Sequence, residues 1–157
     1  MRFGAGLVLA IILLCAAPAQ AERADLYGPV PDEATALHVV PGPVWSFVGS
    51  AASASATPFD ADLIEPIARA RFCLIWTPGP ASNRVRLVSW WTGMAEIARV
   101  QSDGSLTPRA QCWYITEALE ALRQSLAARG GMTFLAYQVA GEWAGPMTLY
   151  AVWVDWR

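Results

Sequence analysis

The chain has no lysine: its eleven basic residues are all arginine. That excludes Schiff-base and other catalytic-lysine chemistry. Histidine is nearly absent too. His38 is the only one, and it lies in an apolar stretch between Leu37 and Val39. A Ser-His-acid mechanism needs a histidine base, and no Gly-x-Ser-x-Gly elbow accompanies this one. His38 therefore reads as a structural strand residue. With Cys15 in the N-terminal apolar run and the other two cysteines expected to pair with each other, one histidine cannot furnish a zinc site. No Asp-x-Asp-x-Asp-Gly loop for calcium occurs; Asp60-Ala61-Asp62, the nearest approach, reads as a solvated acidic turn. Gly130-Gly131 reads as a helix cap and not as a phosphate loop. A glycosidase needs two facing carboxylates, and nothing in the spacing of Glu96, Glu142 and Asp155 selects a pair. The expectation is a chain without catalytic residues, cofactor or metal.

Charge is sparse as well. Only 15% of residues are charged, the net charge is −2, and the arginines stand singly or in pairs with no basic stripe. This speaks against a nucleic-acid partner.

What is present starts with residues 1–21. Arg2 precedes an apolar run from Gly4 to Ala17, Pro18 breaks it, and Ala19-Gln20-Ala21 suits signal-peptidase cleavage. This predicts a secretory signal and a mature chain starting at Glu22, located in a periplasm or secreted. About fourteen apolar residues reach roughly 21 Å as a helix, short of the roughly 30 Å hydrocarbon core. No later run is long enough, so no transmembrane segment is expected after cleavage. Cys15 leaves with the signal. Cys73 and Cys112 remain, and in an oxidising compartment they are expected to pair.

The domain reading is a signal peptide at 1–21, an extended, loosely packed N-terminal segment at 22–35, and a single β-sandwich domain at 36–157. Strands are predicted at 36–40, interrupted by Pro41-Gly42-Pro43 and resumed at 44–48, and at 71–77, 84–91, 96–101 and 111–114. Two more close the chain at 132–139 and 148–156. The small-residue run 49–57 reads as a loop, and 60–70 as a short helix or an extended segment, since Pro66 opposes helix. In 84–91, Val85, Leu87 and Ser89 alternate with Arg84, Arg86, Val88 and Trp90. In the last strand, Tyr150, Val152, Val154 and Trp156 share one face, and Leu149, Ala151 and Trp153 the other. One helix is predicted near 116–129. Thr116 is its N-cap, Glu117 and Glu120 lie in its first turn, Leu119, Leu122 and Leu126 form one face, and Gly130 ends it.

Many short strands with Gly/Pro turns and one helix give a mainly β chain: a jelly-roll-like antiparallel β-sandwich, with an open α+β sheet as the alternative. The closing order is more particular. Ile115-Thr116-Glu117-Ala118-Leu119 leads into the helix, Thr133 to Val139 follows, and a loop and last strand end it. This resembles the C-terminal part of galactose-binding-like jelly-roll modules. The resemblance covers the C-terminal third and implies a β-sandwich that binds glycans in many of its members. Ligand residues there lie in variable loops, so none is carried over.

Eight tryptophans indicate a core packed with large rings or a surface that stacks on a ligand. Trp143, in a turn beside Glu142 and between small residues, is the leading candidate for an exposed ring, followed by Trp45. Adjacent Trp90 and Trp91 must point to opposite sheet faces, and Arg84 and Arg86 share the face of Trp90. The expected activity is non-catalytic binding of a glycan or cell-envelope polymer. Trp143, Trp90, Trp91 and Trp45 would stack, and Arg84, Arg86 and Glu142 would hydrogen-bond. A protein–protein interaction or assembly module of the envelope is the alternative, and an unrecognised enzyme the third reading.

Overall fold

The computed structural model describes residues 22–27, the backbone of 35–37, and residues 56–90, 93–141 and 147–157. It contains β1 (Glu22–Tyr27), β2 (Thr35–Leu37), β3 (Thr57–Asp60), β4 (Ala70–Thr77), β5 (Arg84–Trp90), β6 (Met94–Gln101), β7 (Arg109–Tyr114), α1 (Thr116–Ala127), β8 (Met132–Ala140) and β9 (Met147–Trp156). One sheet, here sheet A, runs β1-β9-β4-β7, with β2 paired to the far end of β9. Sheet B runs β3-β8-β5-β6. All pairs are antiparallel. Leaving β2 aside, the pairing is nested: β1 with β9, β3 with β8, β4 with β7 and β5 with β6. A chain folded as one long hairpin and then rolled up produces this order, which is that of a jelly-roll sandwich. The open α+β alternative is set aside.

The core lies between the sheets. Sheet A contributes Leu26, Phe72, Leu74, Trp76, Leu149, Val152, Val154 and Trp156; sheet B contributes Phe59, Val85, Leu87, Leu135, Tyr137 and Val139. Phe59 and Trp156 meet edge to face across it, 5.5 Å apart, and Trp76 and Trp113, both of sheet A, meet edge to face 6.4 Å apart. The Trp76 indole N–H, which burial would otherwise leave unpaired, donates to Gln111 Oε1 at 2.9 Å. Cys73 and Cys112 sit opposite each other on β4 and β7 and form the expected disulfide.

Several expectations need correction. Residues 22–27 are not a loose leader: β1 pairs with β9 from Glu22↔Trp156 to Tyr27↔Val152, and Leu26 is fully buried. Its alternation is short, and the partner that selects it lies at the other end of the chain. The expected loop ends before Thr57, because Thr57–Asp60 is strand β3; as an edge strand it tolerates Pro58, and Phe59 fills the core. Between Asp60 and Ala70 there is no helix, in keeping with Pro66, yet Ile64 and Ile67 still reach the core. In β9 the register steps from Ile75↔Ala151 to Trp76↔Leu149. The bulge at Tyr150 moves Leu149 onto the buried face with Val152, Val154 and Trp156.

The helix is as predicted, but Thr116 is not its cap. Ile115 holds that position without a side-chain bond. The Thr116 hydroxyl instead accepts the Ala70 N–H at 3.0 Å. Glu120, beyond the first turn, accepts the Ile67 N–H at 2.9 Å. Together they tie α1 to the segment leading into β4. Leu119 is buried, with Leu122 and Leu126 packed beside it. Gly130 ends the helix at φ +63°, a left-handed conformation that suits glycine. The predicted strands 38–40 and 44–48 lie outside the described residues.

Candidate binding surface

Alternation along the strands leaves each sheet with an outer face. On sheet A this face is arranged in rows across the strands. One row, in register, is Tyr114 (β7), Arg71 (β4), Asp155 (β9) and Arg23 (β1). The next is Cys112, Cys73, Trp153 and Asp25. The disulfide therefore lies on this face, with Trp153 beside it.

Arg71 and Asp155 occupy the middle of the first row, paired through two hydrogen bonds, Nε to Oδ1 at 2.9 Å and Nη2 to Oδ2 at 2.8 Å. The bond and charge of Asp155 push the Arg71 pKa further upward. On either side an arginine lies over an aromatic ring: Arg23 4.8 Å from the Trp153 ring and Arg69 5.1 Å from the Tyr114 ring. Arg69 also donates to the Tyr114 hydroxyl at 2.7 Å, and the Trp153 indole N–H reaches Asp155 Oδ2 at 3.4 Å. Tyr114 is 69% exposed. The lower end of the face opens into a pocket of about 290 Å³ that includes Glu22, Arg69 and Arg157. Neither Trp153 nor Tyr114 stands out in the sequence. Each lies in a strand that reads as core, and only the cross-strand register brings them to one exposed face.

The outer face of sheet B carries what the sequence singles out. Arg84, Arg86, Val88 and Trp90 share it, as alternation predicts. Trp90 is 45% exposed. Arg86 donates to the buried Gln138 (Nε to Oε1, 2.8 Å) and to Glu96 (Nη1 to Oε2, 3.3 Å). Arg99 also pairs with Glu96, at 3.0 and 2.8 Å; these bonds hold the Glu96 carboxyl below its ordinary pKa against the opposing effect of desolvation. Gln138 donates to Met94 Sδ at 3.0 Å. Trp143, Glu142, Trp91, Trp45 and His38 lie outside the described residues.

Glu96 and Asp155 stand on opposite outer faces of the sandwich, each bonded to arginine, so these two do not share a cleft. Asp60 accepts the Asp62 N–H at 3.0 Å within its turn, which matches the acidic-turn reading. Among the described residues no group of three or more His, Cys, Asp and Glu is placed to hold a metal, and no helix is long and apolar enough to cross a membrane.

No protein-family profile matches the chain, and no curated protein matches it significantly.

Proposed function

We propose that the chain is an exported, non-catalytic binding module for a glycan or another cell-envelope polymer, and that the outer face of sheet A is its binding surface. The observation that carries this reading is the pair Tyr114 and Trp153, set on one sheet face with arginines between and beside them. Rings on β7 and β9, separated by β4 and offset by two residues along the strands, are attached about 12 Å apart, which suits an extended polymer crossing the strands obliquely. Aromatic planes stack on the C–H faces of sugar rings while guanidinium edges take hydroxyls. The signal-like residues 1–21, the disulfide and the resemblance to galactose-binding-like modules support the location and the ligand class. Trp90 with Arg84 and Arg86 on sheet B provides a second aromatic-arginine surface.

The test is tryptophan fluorescence of the full chain titrated with a panel of neutral and acidic oligosaccharides, with Trp153→Ala, Tyr114→Ala and Trp90→Ala in parallel. A saturable change weakened about tenfold or more in the Trp153 and Tyr114 variants, but not in Trp90→Ala, supports the sheet A surface. Loss in Trp90→Ala alone moves the site to sheet B. No response to any glycan in a folded chain replaces this reading with a protein partner.

A further inference from the structure

We propose that the pocket at the lower end of sheet A is an oxyanion site, so that the polymer it takes carries carboxylate or phosphate groups. This rests on the binding-module reading above and names the chemistry of its ligand. Four guanidinium groups, Arg23, Arg69, Arg71 and Arg157, line the pocket against two carboxylates, Glu22 and Asp155. The excess is local and opposite in sign to the chain as a whole, whose net charge is −2.

The four arginines are not equivalent. Arg71 is closed on Asp155, and Arg23 is paired with Asp25. Arg69 and Arg157 have no carboxylate partner among the described residues. Their backbones are locked together: Arg69 N–H donates to Arg157 O at 3.0 Å, and Arg157 N–H donates to Arg69 O at 3.0 Å. The two arginines are thus held side by side just beyond the paired ends of β4 and β9, neither in an ion pair with a carboxylate side chain among the described residues. A guanidinium lying over a ring, as Arg69 lies over Tyr114, still presents edge N–H donors. Those donors form the planar fork that matches a carboxylate or phosphate bidentately. Glu22 has its Oε2 bonded to the Trp156 indole N–H at 2.9 Å and forms no ion pair with Arg69 or Arg157. A carboxylate or phosphate of the ligand supplies the missing countercharge.

The experiment is calorimetric titration of the full chain with three probes at low and physiological salt: oligogalacturonate, its fully methyl-esterified form, and poly(glycerol phosphate). The acidic oligosaccharide or the phosphate polymer should bind, the binding should weaken with salt, and the esterified probe should bind at least about tenfold more weakly. Which acidic probe binds identifies carboxylate or phosphate as the source. The Arg69→Ala and Arg157→Ala variants should lose at least about tenfold, and Arg69→Lys should recover only part of it. Unchanged thermal unfolding shows that the variants are folded. Equal affinity for the acidic and esterified probes overturns the oxyanion site and leaves the glycan reading standing. Full affinity in both arginine variants overturns it likewise. No binding by any of the three probes overturns the oxyanion site, and the glycan reading is then decided by the oligosaccharide panel.

Discussion

Arg71 and Asp155 face each other across β4 and β9, the Nε and Nη2 of the one bonded to Oδ1 and Oδ2 of the other. The pair is the electrostatic lock of the sheet A face. It neutralises the cation nearest the centre and places a carboxylate beside the path proposed for the ligand. Asp155→Asn should therefore release Arg71 and remove a repulsion. Affinity for an oligogalacturonate should rise about threefold to tenfold with little change in fold. Calorimetric titration checks this, and an unchanged or lower affinity would show that Asp155 does not face the ligand.

The disulfide joins β4 to β7, an edge strand of sheet A, and closes a sequence separation of 39 residues. Loop-closure entropy gives it about 3–4 kcal/mol. The Cys73→Ser, Cys112→Ser double variant should lose that much in urea unfolding, and the wild-type chain under reductant should fall to the same midpoint. Reductant that leaves the wild-type midpoint unmoved would refute the contribution.

The sequence discloses the parts of this fold that are local. The turn at 78–83, the alternation of β5 and β8, and the helix with its Gly130 stop all follow from residue types and periods over a few positions. What it hides are pairings between distant segments. β1 is defined by β9, more than a hundred residues on, and the phase of β9 is set by a bulge that no pattern of its own residues announces. The proposed binding surface is hidden for the same reason. Tyr114, Arg71, Asp155 and Arg23 form one row only after four strands from across the chain are laid in register. Trp90 with Arg84 and Arg86 was legible because a single strand carries all three.

Acid should remove the tie that Glu120 makes between α1 and the segment before β4. Glu120 accepts hydrogen bonds from Arg123, Gln124 and the Ile67 N–H. The Arg123 bond is the main reason its pKa is lowered from 4.5 to about 2. A carboxyl whose folded pKa is depressed stabilises the fold above its unfolded pKa and loses that contribution as pH falls through the folded one. The loss should thus run from about pH 4.5 down to about pH 2. Glu120→Gln keeps an acceptor for Ile67 but not the charge. It should cost about 1 kcal/mol at pH 7, discounted for partial solvation, and flatten the acid side of the stability curve. Thermal unfolding between pH 2 and pH 7 decides it; parallel curves for the two proteins would count against Glu120.

Gly141 offers the sharpest steric test. A Cβ there would fall on the Asn83 carboxamide. Asn83 has no room to yield. Its Nδ2 donates to Pro78 O at 3.0 Å, its N–H to Pro80 O at 2.9 Å, and its carbonyl accepts the Ser102 N–H at 2.8 Å. The clash would have to push the 78–83 turn away from the end of β8 and disturb the start of β5. Gly141→Ala should cost about 1–3 kcal/mol. Gly131→Ala is the matched control, because nothing lies within 4 Å of its Cβ position and its φ is not positive. That variant should be neutral or slightly stabilising through the unfolded state. Urea midpoints for the two variants settle the matter. Equal shifts would mean that the cost at Gly141 is one of backbone entropy and that the packing against Asn83 contributes nothing.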